Sequence, residues 1–168
     1  MKHQDLIAID IHTHAEVSCW NPFDNYGEEY DRAADKFFGS DRRPTIDETV
    51  AYYRERKIGL VMFTVDSESQ LGRRRIPNEE IAKAARDNSD MMIAFGSIDP
   101  HKGKMGAREA ERLIKEEGIK GFKFHPTVQG YPLITPERWM KDFEVAGFKP
   151  EVMPGILKDN AVRLLGLK

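Results

Sequence analysis

The chain of 168 residues has a single cysteine, Cys19, which excludes an internal disulfide framework. With no such staple, a reducing cytoplasm is the expected compartment. No apolar run reaches membrane-spanning length, and the first ten residues carry charges at Lys2, Asp5 and Asp10. Neither a secretory leader nor a membrane span is therefore expected. An excess of one charge is also lacking: 26 Lys and Arg stand against 28 Asp and Glu, a formal net charge of −2. That balance gives no electrostatic reason to expect nucleic acid or an anionic membrane as partner. No internal repeat or low-complexity segment stands out.

The remaining composition, 40% hydrophobic and 32% charged, is that of a globular domain long enough to bury a core. One domain over residues 1–168 is expected. Its strongest pattern is strand alternating with helix. Leu6–Ile11 is a short apolar strand run ending in His12-Thr13-His14, and a long polar and aromatic stretch follows to Pro44. That stretch reads as a functional loop with local helix around Asp31–Phe38. Thr45 to Glu48 forms a capping box opening a helix to about Lys57.

Gly59–Val65 is a continuous apolar strand, as expected where both faces are covered. A polar loop with Arg73-Arg74-Arg75 leads to a helix from Pro77 to about Arg86. Met91–Ile98 predicts a third strand, Gly106–Glu117 a helix, and Ile119–Phe124 a fourth strand ending in His125-Pro126. The order implies parallel strands with right-handed crossovers. Thr135 as N-cap and Pro136 at the first helical position open a further helix to about Ala146. Two shorter helical pieces, Glu151–Lys158 and Asn160–Leu165, complete the pattern.

His12 and His14 are two residues apart on a strand, so both imidazoles project together from its carboxyl end. Sites form at that end in barrels and open parallel sheets alike. Neutral imidazole is the commonest ligand of zinc and similar ions. The competing reading is a solvated strand end, or imidazoles satisfied by nearby backbone. Lys123 and His125 repeat the geometry at the fourth strand. His125 is a further ligand, a donor behind the ligands, a substrate contact or a structural imidazole against Pro126. Lys123 is a contact for an acidic substrate or a solvated lysine.

The remaining polar features read as ordinary structure. Arg73–Arg75 fits a solvated loop, or a clamp for a carboxylate beside a barrel mouth. His101 fits a turn, His3 a frayed terminus, and Gly39-Ser40-Asp41 a loop with no strand before it. A nucleotide-binding doubly wound domain also fits the strand–helix order. It is set aside because His12-Thr13-His14 stands where its glycine-rich phosphate loop belongs.

The run IDIHTH at 9–14 resembles the opening strand of the amidohydrolase superfamily. Further blocks resemble its amidohydrolase-related branch, which includes aminocarboxymuconate-semialdehyde decarboxylase and γ-resorcylate decarboxylase. They are IPNEEIAKAARDNSDMMIAFGSIDPHKG (76–103), GIKGFKFHPTVQG (118–130), YPLITPERWMKDFE (131–144) and ILKDNAVRLLGL (156–167). The resemblance implies a TIM-type (β/α) barrel. Its activity would be that of a metal-dependent hydrolase or non-oxidative decarboxylase, acting on a small carboxylated or cyclic substrate. It implies a divalent metal, zinc first and manganese next, with His12 and His14 as ligands. The strand-end geometry, apart from the resemblance, adds His125 as third ligand or substrate contact and Lys123 as a contact for an acidic substrate.

The departures from that family matter equally. A complete barrel of this kind has about 250 residues, and the blocks at 118–130 and 131–144 abut at Gly130-Tyr131 where the family places strands five to eight between them. The expected fold is α/β: a partial barrel of about four parallel strands with flanking helices. Residues 1–130 would match its N-terminal half and 131–168 its C-terminal helical end. The family's histidines after strands five and six have no counterpart, and Gln129 stands where its metal-binding aspartate belongs. Two readings follow: an impaired metal-dependent enzyme, or a non-catalytic remnant that folds, pairs with a second copy as a homo-oligomer, and at most binds metal.

Overall fold

The computed structural model describes residues 1–22, 32, 35–36, 39, 43–131 and 135–165. The helix expected around Asp31–Phe38 and the Ser40-Asp41 loop lie almost wholly outside the described residues. The chain divides into two compact units, Met1–Tyr131 and Pro132–Lys168. Among the described residues no helix is long and apolar enough to cross a membrane.

In the first unit, strands β1 (Ala8–His14), β2 (Ile58–Phe63) and β3 (Met92–Ala94) form a parallel sheet in the order β1-β2-β3. Helix α1 (Ile46–Glu55) lies between β1 and β2 in sequence. A short helix α2 (Glu68–Leu71) and then α3 (Asn78–Asp87) connect β2 to β3, and α4 (Gly103–Glu116) follows β3. The predicted capping box at the start of α1 is present. Thr45 Oγ1 accepts the Glu48 amide at 3.2 Å, and Glu48 Oε2 accepts the Thr45 amide at 2.9 Å. Two of the helix's orphan donors are thereby satisfied at once.

The core sits between the sheet and its helices. Leu60 and Met62 of β2 are fully buried against Ile46, Val50, Ile81 and Met92. Each such side chain contributes about 1.5–3 kcal/mol through area removed from water. Val61 and Phe63, on the opposite face of β2, are buried too, which explains the unbroken apolar run. β1 differs. Among the described residues it has a neighbour on one side only, and its Ile9 and Ile11 are 46% and 74% exposed.

The expected fourth strand, Ile119–Phe124, is reduced to one isolated bridge, Gly96 with Phe122. Backbone bonds Lys120 N–H to Ala94 O (3.0 Å), Gly96 N–H to Gly121 O (2.9 Å) and Lys123 N–H to Gly96 O (2.8 Å) still hold it beside β3. β3 itself ends at Ala94, and beyond it Gly96 carries the pairing. The approach is close: a side chain on Gly121 would meet the Phe95 ring at 2.6 Å. Among the described residues the sheet therefore has three strands with a fourth segment docked on its edge, consistent with part of a barrel.

α2 was not foreseen. It is four residues long, too short for a periodic apolar stripe, and ends at Gly72 in the left-handed conformation (φ 64°). α4 begins three residues earlier than expected, because the turn Pro100–Lys102, capped by Asp99, runs directly into it.

In the second unit, α5 (Pro136–Val145) starts as predicted, with Thr135 Oγ1 accepting the Arg138 amide. Trp139, Phe143 and Phe148 stack in series with centroids 5.0 Å apart at each step. The two closing pieces are a 3₁₀ turn at Pro150–Val152 leading to a π-helical turn at Gly155–Asp159, and α6 (Asn160–Leu165).

Thr45→Ala removes the acceptor that opens α1 and should destabilise the protein by about 1 kcal/mol in urea denaturation, whereas Thr45→Ser should retain most of that stability.

Candidate metal centre

The position of the two histidines depends on an irregularity in β1. Asp10 pairs with Leu60 and Thr13 with Met62, so three steps in β1 oppose two in β2. This is a bulge, and one extra residue reverses which face every later side chain meets. Asp10 and Thr13 consequently share the helix-facing side. There Tyr53 donates its hydroxyl to Asp10 Oδ2 at 2.7 Å. His12 and His14 turn to the opposite side, where both rings stand edge-on to Phe63 at centroid distances of 5.3 and 4.8 Å.

Asp10 also braces the bulge, its Oδ1 accepting the His12 amide at 2.8 Å. The Tyr53 hydroxyl and the His12 amide together hold the Asp10 carboxyl below the usual range. An exposed strand edge is blunted by the same arrangement.

On the far side of the sheet face, His12 Nε2 and His14 Nε2 lie 3.1 Å apart, with the rings stacked at 27°. Two imidazole nitrogens about 2.0–2.1 Å from one tetrahedral zinc stand roughly 3.3 Å from each other, so the pair fits a shared ion. The same distance suits an imidazole–imidazole hydrogen bond, and either arrangement requires a neutral ring. His14 meets that requirement. Its pKa is pushed down to about 4, first by burial and then by His12, Lys123 and His125.

The fourth segment brings Lys123 to the same place. Lys123 Nζ is 3.4 Å from His12 Nε2 and 5.3 Å from the Phe63 ring centroid. His125 is near enough to act electrostatically on His14, and its Nδ1 is buried with no hydrogen-bond partner. An orphaned buried nitrogen calls for a ligand or a water. Among the described residues, however, no three His, Cys, Asp or Glu side chains are grouped so as to hold a metal. The fit therefore extends to the histidine pair, with His125 nearby.

Several residues fix these strand ends through contacts that the sequence does not announce. Gln129 is fully buried; its Oε1 accepts the His125 amide at 2.8 Å and its Nε2 donates to Asp66 O at 2.8 Å and Ile98 O at 3.3 Å. Asn78, at the first position of α3, both donates to and accepts from the Ser97 backbone at 2.9 Å. Ser97 Oγ in turn accepts the Asp66 amide and donates to Lys123 O. Asp66 is fully buried beside Lys102 Nζ at 2.6 Å, with Arg75 at 3.6 Å. Glu80 accepts the Ser18 hydroxyl and the Cys19 amide, both at 2.6 Å, and so anchors the loop that leaves β1. His101 is engaged in its turn, with Nε2 2.9 Å from Gln129 O and its ring stacked on Tyr131.

The depressed value for His14 sets a pH dependence. Between pH 6.5 and about 4 the unfolded chain takes up a proton that the folded chain refuses. The stability linked to neutral His14 is thus present above that window and lost as pH falls through it. The urea midpoint of the metal-free protein should drop more between pH 7 and pH 5 than that of His14→Gln; equal drops would contradict the burial of a neutral ring.

A family-wide sequence profile described as Amidohydrolase matches residues 9–147, most of the chain, beginning within β1. Neither the curated proteins nor the solved structures contain a match. With a parallel α/β sheet, two imidazoles converging from the end of its first strand and that profile along most of its length, the chain belongs to the amidohydrolase family.

Proposed function

We propose that this protein descends from metal-dependent hydrolases or non-oxidative decarboxylases acting on a small carboxylated or cyclic substrate. In this reading His12 and His14 hold a divalent ion, zinc first and manganese next, with His125 as third ligand. The observation that carries it is the 3.1 Å approach of the two Nε2 atoms at the carboxyl end of β1. Such an ion supplies Lewis-acid polarisation of a carbonyl or carboxylate and activation of water.

The chain's own residues do the rest. Phe63 backs both rings and fixes their angle. The neutral state of His14 leaves its lone pair available at physiological pH. Lys123, on a flexible stem 3.4 Å from His12, can turn to a substrate carboxylate.

A second reading, a non-catalytic barrel remnant that at most binds metal, is favoured by Gln129. It stands where the resemblance expects an aspartate, and its amide is wholly committed to backbone partners. We infer that strands five to eight are missing at Gly130-Tyr131 and that a second copy completes the sheet.

Elemental analysis of protein purified without affinity histidines separates these readings when paired with turnover assays on small carboxylates. The proposal expects about one metal per chain, lost in His12→Ala/His14→Ala together with any turnover. Metal without turnover supports the remnant; no metal after incubation with zinc or manganese overturns the metal-dependent reading and leaves the remnant.

A further inference from the structure

The loops that leave β1 and β2 line a cavity of about 420 Å³. One wall carries Glu16 and Trp20; the other carries Arg73, Arg74, Arg75 and Ile76. Its volume is that of a small-molecule site. Both walls are held by bonds within the protein. Glu80 accepts the Ser18 hydroxyl and the amides of Cys19 and Trp20, fixing the first loop. In the second, the Arg75 amide donates to Glu68 Oε1 at 3.2 Å, and its guanidinium pairs with Glu109 at 2.5 Å and Glu68 at 3.3 Å.

Those pairs neutralise Arg75, which therefore acts as a structural post. Arg73 and Arg74 are exposed at the opening, and Arg74 has no hydrogen-bond or ion-pair partner among the described residues. The cavity thus joins an uncommitted guanidinium to an apolar surface made by the Trp20 indole and Ile76. A guanidinium presents paired N–H donors that match an oxyanion. The indole offers a flat face to a ring.

We propose that this cavity binds a small organic anion, with its oxyanion head on Arg74 and its apolar body against Trp20 and Ile76. Carboxylate and phosphate heads share that chemistry. The site uses none of the histidines, so it stands or falls independently of the metal reading.

The test uses the full-length protein, stripped of metal by chelator, in a Trp139→Phe background so that Trp20 is the only indole. Benzoate, phenyl phosphate and the neutral analogue benzamide are titrated, following fluorescence and calorimetric heat. At least one anion should saturate, and benzamide should bind about tenfold more weakly or not at all, with affinity falling as salt rises. Arg74→Ala should weaken the anion by about tenfold, while Arg74→Lys recovers part of the loss. Saturation by benzoate alone identifies a carboxylate site, by phenyl phosphate alone a phosphate site, and by both a general oxyanion site. No saturable anion binding up to about 10 mM, equal binding of benzamide, or an unchanged affinity in Arg74→Ala overturns the proposal.

Discussion

Between Asp10 and Thr13, β1 takes three steps while β2 takes two from Leu60 to Met62. The phase of the strand reverses there, and with it the environment of everything downstream. Continued in simple alternation, the strand would turn His12 and His14 toward Tyr53 and α1, into the packed side of the sheet. The bulge instead sets them against Phe63, where their Nε2 atoms converge and Lys123 and His125 approach. Asp10 anchors the irregularity from both sides, accepting from Tyr53 and from the His12 amide. The chemistry available at this end of the sheet follows from that one displaced residue.

A second constraint holds the strand ends in place. The sheet is narrow and β3 is only three residues long, so ladder hydrogen bonds alone secure little of it. Buried polar side chains take over: Asn78 substitutes for a backbone partner at Ser97, and Gln129 ties the ends of β2, β3 and the fourth segment together. Each such group, if left unpaired in the interior, would cost about 1–3 kcal/mol, so the network is satisfied as a unit. Gln129 thereby serves the fold at a position that, by resemblance, would serve a metal.

Much of this architecture was legible in the residues. Thr45 with Glu48, and Thr135 with Pro136, announce their helices because capping is local chemistry. The apolar run of β2 announces burial on both faces. The two-residue spacing of His12 and His14 predicts that they project together, and they do. Which face they meet was not legible, since a bulge is fixed by pairing with β2 rather than by any signal within β1. The fourth strand was overstated because its apolar pattern is intact while its partner β3 is too short to pair with it. The buried, bracing roles of Gln129, Asn78 and Glu80 were not legible for a similar reason. Their partners lie 4 to 63 residues away, and nothing in their immediate neighbours marks them as buried.

The central claim is that His12 and His14 form one chelating pair. Cadmium–nitrogen scalar coupling measured by NMR on cadmium-loaded, nitrogen-labelled protein tests it most directly. The account predicts a single cadmium resonance coupled to the Nε2 atoms of both His12 and His14. Cadmium coupled to neither ring, or to only one of them, would contradict it.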